Sequence, residues 1–193
     1  MIKIGLTGGI GSGKSVVANL LQTYDIPIYI ADLESKKLLK NSFSIHKQLT
    51  TLLGNNIYKA NGLDHKLMAS LIFNDPLLLE KVNAIIHPEV ARHFNAWSER
   101  QHTQFVILES AILFESGFNR LMDLTLLVYT PQKERIRRTI IRDKVTEAEV
   151  LQRIKNQQPD ETKKEQADFI IYNDEAHALL PQIEDFLAHL AKK

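Results

Sequence analysis

Residues 8–15 read Gly-Gly-Ile-Gly-Ser-Gly-Lys-Ser, a full match to the phosphate-cradling pattern GxxxxGK[ST]. Each residue type answers a chemical need. Gly8, Gly11 and Gly13 carry no Cβ, so the backbone can turn through positive φ and bring its N–H groups close to phosphate oxygens. The partial positive charge of a helix N-terminus adds to that field. Lys14, expected to lie exposed without ligand, supplies a mobile cation for the β- and γ-phosphates. Ser15 supplies a hydroxyl for the Mg2+ that bridges them. The chemistry so specified is binding of a magnesium nucleoside triphosphate, with Gly11, Ser12, Gly13, Lys14, Ser15 and Val16 as contacts.

Other polar residues stand where they could act on such a ligand. Asp32 follows a short apolar run and can accept a proton from a substrate hydroxyl or hold a water on Mg2+. A carboxylate is a weak base, but a loose transition state needs the hydroxyl oriented first and deprotonated late. The plainer alternative is that Asp32 caps a helix starting at Leu33. Glu109 ends the apolar run Phe105-Val106-Ile107-Leu108, a place suited to a Mg2+ contact through water, and Glu115 can line the same cleft as a substrate contact. Arg135, Arg137, Arg138 and Arg142 cluster on one predicted helix. Arg138 and Arg142 stand one turn apart and can close over transferring phosphates, a role worth roughly 10³ to 10⁵ in rate; the same cluster also fits a solvated face. Among seven histidines none shows metal spacing, and His87, next to Pro88, reads on its own as a hydrogen-bonded turn residue.

The elements that must position these residues follow from periodicity. Ile2, Ile4 and Leu6 alternate as a strand, and Val16, Ala18, Leu20 and Leu21 begin a helix directly after the loop. Further strands are predicted at 26–30, 105–108, 124–129 and 169–172, with Pro27 favouring an early or edge position for the second. Helices are predicted at 33–39, 133–142, 147–157 and in the tail from Glu175. Residues 42–101 read as almost wholly helical, with no convincing strand, in pieces at 45–53, 64–73, 77–86 and 89–100. Gly54-Asn55, Asn61-Gly62, Asp75-Pro76 and His87-Pro88 punctuate them as stops and turns. Five strands separated by helices predict an α/β fold, a parallel sheet covered on both faces. An insertion as long as 42–101 is where a second substrate would bind, unless it is a packing cap or dimer surface.

Composition narrows the class. The 193 residues, 44% hydrophobic and 24% charged, suffice for a core without metal or disulfide support. A formal net charge of +1 gives no general attraction to nucleic acid or anionic membrane, and the absence of cysteine excludes thiolate chemistry. Met1 runs straight into the first strand, and the most apolar stretch, Phe105 to Phe114, is too short to span a bilayer. A cytoplasmic, membrane-independent protein is the expectation.

Taken together, these residues resemble the dephospho-coenzyme A kinases. The resemblance rests on Gly5 to Ser15, Ala31-Asp32, Ile85-Ile86-His87-Pro88, Leu113-Phe114-Glu115, Arg138 with Arg142-Asp143, Gln157, Lys163, and Ala167-Asp168-Phe169-Ile170-Ile171 closing at Asn173. It implies a three-layer α/β/α P-loop NTPase fold with a core (1–41, 102–132 and 166–193), a helical substrate region (42–101) and a mobile lid (about 133–165). It further implies Mg2+-dependent transfer from ATP to the ribose 3′-hydroxyl of dephospho-CoA by a monomer or weak homo-oligomer. Carried over, Asp32 is the hydroxyl-orienting base, Lys14 and Ser15 handle phosphates and Mg2+, and Arg138 and Arg142 belong to the lid. His87 falls in the substrate region and Asn173 near the adenine. The family usually reads Asp-Ala-Asp where Ile30-Ala31-Asp32 stands, Asp at Glu109, an apolar-Pro pair at Ser110-Ala111 and Thr at Val16. Rival readings are another small P-loop kinase or a non-catalytic ATP-binding module. A GTP switch lacks its DxxG and NKxD elements here.

Overall fold

The computed structural model describes residues 1–59, 62–73 and 75–192, so the turn expected at Asn61 lies outside the described residues. The chain forms two compact units, Met1–Tyr29 with Gln101–Lys193, and Ile30–Arg100. In chain order the strands are β1 (Ile2–Thr7), β2 (Ile28–Ile30), β3 (Tyr58–Lys59), β4 (Gly62–Leu63), β5 (Phe105–Glu109), β6 (Leu124–Tyr129) and β7 (Phe169–Tyr172). The helices are α1 (Lys14–Gln22), α2 (Ala31–Asn41), α3 (Phe43–Leu53), α4 (His65–Ile72), α5 (Pro76–Ser98), α6 (Gln132–Asp143), α7 (Glu147–Lys155), α8 (Asp160–Gln166) and α9 (Leu179–Leu190).

In the first unit the strands order as β2-β5-β1-β6-β7, and the β1–β5, β1–β6 and β6–β7 pairs are parallel. β2 is an edge strand that begins just after Pro27, whose carbonyl accepts from Ile107 N–H at 2.9 Å; the residue that cannot donate thus lies at the end of the ladder and not within it. Alternation along β6 sorts the layers. Leu124, Leu126 and Val128 join Val17 and Leu21 of α1 and Ile183, Phe186 and Leu190 of α9 in one core. Tyr129 points the other way, and Lys164 of α8 lies over its ring, 3.6 Å from the centroid. On that face Gly5 leaves the space Leu113 fills, since a Cβ there would sit 2.6 Å from Leu113 Cδ2.

The second unit corrects two expectations. Residues 42–101 do contain strand, where none was expected: β3 and β4 form a short antiparallel pair. Nor do His87 and Pro88 make a turn, because α5 runs unbroken from Pro76 to Ser98 with Pro88 inside it. Asp75 caps this helix by accepting from Leu78 N–H at 2.9 Å, with Pro76 in the first position. Val82, Ile86, Val90 and Phe94 recur every four residues as its buried stripe, while Pro88 faces outward. Continuous burial outweighs the hydrogen bond the proline cannot donate. Pro88→Ala should therefore stabilise the protein by about 2 kcal/mol, ~3 from helix propensity less ~1 for a freer unfolded chain. Urea unfolding checks this; an unchanged or lowered midpoint would contradict it.

Candidate active site

β1 delivers the chain into the glycine loop, and α1 starts at Lys14 with Gly13 as its N-cap in the left-handed region, φ 85°. The first-turn amides of a helix have no upstream helical carbonyl to bond, which suits them to an anion. Ser15 is exposed in that turn, as is Val16. Lys14 is only half exposed, contrary to expectation, because its Nζ donates to the Gly8 carbonyl at 2.8 Å. In register with Leu6, two residues before Gly8, stands the half-buried Glu109.

The loop is braced by side chains from outside it. Asn173 Nδ2 donates to the Ser12 carbonyl at 2.7 Å, and Thr130 Oγ1 donates to the same carbonyl at 3.0 Å. Arg138 NH1 donates to the Asn173 carbonyl at 3.2 Å, while its Nε donates to Glu134 at 3.0 Å. The paired arginines hold Glu134's carboxyl down at about 2, mainly through Arg137. Arg142 is exposed and donates to Asp143 at 2.7 Å.

Arg135 differs from its neighbours on α6. It is 3% exposed, ion-paired with Asp160, and donates through NH1 to the Ile10 carbonyl at 3.3 Å. Burial pushes Asp160's carboxyl up and Arg135's guanidinium down, each shift partly opposed by the other's charge. Gly9 and Gly11 admit α6 this closely. A Cβ on Gly9 would occupy the position of Arg135 NH1, and one on Gly11 would lie 2.6 Å from Thr139 Oγ1. Beside this cluster opens a cavity of about 500 Å3 lined by Tyr129, Gln132, Arg135, Gln158 and Asp160. Glu115 accepts at Oε1 from the wholly buried Lys163 at 2.9 Å and from Gln158 N–H at 2.7 Å; its Oε2 is buried without a partner among the described residues.

In the second unit Asp32 is not the cap of its helix. α2 begins at Ala31 with Ile30 as N-cap, so Asp32 lies within the first turn, exposed, where its charge complements the helix dipole. It lines a pocket of about 290 Å3 with Ser35, Lys36, Leu39 and His65. His87 is half-buried on α5.

A family model for dephospho-CoA kinase matches residues 2–178. The chain belongs to that family. The dephospho-CoA kinase of Bacteroides fragilis is 43% identical over 193 residues, all of this chain and 94% of that one. The Thermus thermophilus dephospho-CoA kinase is 36% identical over 172 residues, 89% of this chain and 83% of that one. A Thermus thermophilus crystal structure superposes with a TM-score of 0.85 at 35% identity, covering 99% of this chain and 97% of that one. Fold alone is shared with shikimate kinase from Acinetobacter baumannii, at a TM-score of 0.57 and 16% identity over 100% of this chain and 95% of that one.

Within this dephospho-CoA kinase family member, Ser35, Lys36 and His65 beside Asp32 escaped the sequence reading, although Ser35 and Lys36 follow Asp32 at i+3 and i+4. The buried role of Arg135 gave no signal, since its run of arginines looks uniformly solvated. Burial disfavours the imidazolium of His87 and holds its pKa below the ordinary value. The folded chain then binds this proton less readily than the unfolded one, so the contribution of His87 is full above about pH 6.5 and is lost as pH falls below it. NMR titration should give His87 a midpoint below ~6.5; a higher one would contradict the burial.

Proposed function

We propose that this chain transfers the γ-phosphoryl group of ATP to the ribose 3′-hydroxyl of dephospho-CoA, giving coenzyme A and ADP, the last step of coenzyme A synthesis. The observation that carries the reading is a family match over residues 2–178 in a chain whose residues 8–15 form the phosphate loop. The glycine cradle and the start of α1 fit a triphosphate. The exposed Ser15 hydroxyl and Glu109, in register with Leu6 near the loop, fit Mg2+. Bound there, the metal would supply charge neutralisation across the β- and γ-phosphates.

The remaining roles belong to the chain's own groups. Lys14 exchanges its Gly8 carbonyl for phosphate oxygens. Asp32, its carboxylate exposed, orients the 3′-hydroxyl and takes its proton. Arg138 and Arg142 meet charge on the transferring group, in a lid formed by about 133–165. Residues 42–101 take dephospho-CoA, with His87 as a neutral contact, and Glu115 is a second substrate-side residue. Asn173 lies beside the adenine as well as under the loop. No described helix is long and apolar enough to cross a membrane; we place the reaction in the cytoplasm, in a monomer or weak homo-oligomer without nucleic acid.

Assays with ATP and Mg2+ should phosphorylate dephospho-CoA in preference to adenosine, uridine or AMP. Asp32→Asn should lower kcat by roughly 10² to 10⁴ and leave ATP affinity and the thermal midpoint near wild type. A folded, ATP-binding variant with undiminished turnover would remove Asp32 from the chemistry. Preference for a nucleoside or AMP would overturn the substrate.

A further inference from the structure

Ile10, the third residue of the phosphate loop, is gripped at both of its backbone polar atoms by side chains from distant segments. Its N–H donates to Gln157 Oε1 at 3.0 Å, and its carbonyl accepts from Arg135 NH1 at 3.3 Å. Gln157 lies in the connection between α7 and α8, and Arg135 on α6. Neither anchor stands alone. Arg135 is fixed by Asp160 at the start of α8. Gln157 Nε2 points at the Ala111 carbonyl, at 3.5 Å, and Lys163 Nζ donates to the same carbonyl at 3.2 Å. The loop's own glycines offer no side chain by which it could be held. A second bond, Ser12 N–H to the Gly9 carbonyl at 3.1 Å, closes a turn around Ile10.

We infer that Arg135 and Gln157 are positioning residues for phosphoryl transfer: by fixing Ile10 from both ends they set the direction of the loop amides that receive phosphate. The inference rests on the loop being the ATP site. A misdirected amide weakens the binding of triphosphate and the stabilisation of its transition state together, and leaves recognition of the second substrate alone. A merely structural contact would lower the melting temperature and leave the constants of the folded protein unchanged.

The test uses Gln157→Met, which keeps chain length and removes the amide, and Arg135→Lys, which keeps a cation for Asp160 but loses the guanidinium fork. Calorimetry gives the ATP Kd in Mg2+, steady-state kinetics give kcat and the KM for dephospho-CoA, and a thermal melt reports the fold. For Gln157→Met we expect ATP Kd to rise and kcat to fall by about tenfold each, the loss of one hydrogen bond's worth of positioning. The KM for dephospho-CoA should stay within about twofold and the melt within about 4 °C, the size of a surface-scale change. Arg135→Lys should shift ATP Kd and kcat in the same directions. Unchanged ATP Kd and kcat in both variants, or an equal rise in the KM for dephospho-CoA, would overturn the inference. Failure of the wild type to phosphorylate dephospho-CoA would instead count against the substrate, and the ATP Kd would still decide the positioning role.

Discussion

A buried guanidinium holds the phosphate loop to the rest of its unit, and the surrounding sequence is arranged around it. Arg135 reaches Ile10 of the loop and Asp160 of α8 from a position 3% exposed. Ions taken out of water recover the desolvation only with good partners, so such a pair adds little net stability, yet removing one member costs roughly 3–5 kcal/mol. Its value is location. The space it needs explains Gly9, a position the phosphate motif leaves open: any Cβ there would collide with the Arg135 guanidinium. The loop sequence answers to α6 as well as to its ligand.

The same logic runs along the other ends of the strands. Asn173 follows β7 and Thr130 follows β6, and both donate to the Ser12 carbonyl. Beyond β5, Ala111 and Glu115 are bound by Lys163, a lysine with no exposed surface. Loops leaving four parallel strands are thus tied to one another by side-chain contacts. Shape held before the ligand arrives is shape that need not be ordered on binding.

How much of this was legible depended on whether a pattern was carried by apolar residues. The sheet was, because Leu124, Leu126 and Val128 or Phe169 and Ile171 declare strands by what they bury. The phosphate loop was, because glycine spacing is demanded by backbone geometry. α8 was not: its sequence Asp-Glu-Thr-Lys-Lys-Glu-Gln has no apolar face, and the residue it buries is Lys163. The break placed at Pro88 trusted a local rule that the stripe from Val82 to Phe94 overrides. Asp32 as a cap failed for a related reason, since β2 passes directly into α2 two residues earlier than the polar signal suggested. Arg135 could not be told from Arg137 by type or spacing; only the fold decides which arginine faces the loop.

The phosphate loop is already held in shape by these contacts before any nucleotide binds. Amide hydrogen exchange of Ile10 and Ser12 in the nucleotide-free protein tests it most directly, since each N–H has a named acceptor, Gln157 Oε1 and the Gly9 carbonyl. Protection by at least about 10²-fold over an unstructured chain is expected, a local opening cost of roughly 3 kcal/mol, with little further gain when ATP is added. Exchange at unstructured rates until ATP is added would contradict it.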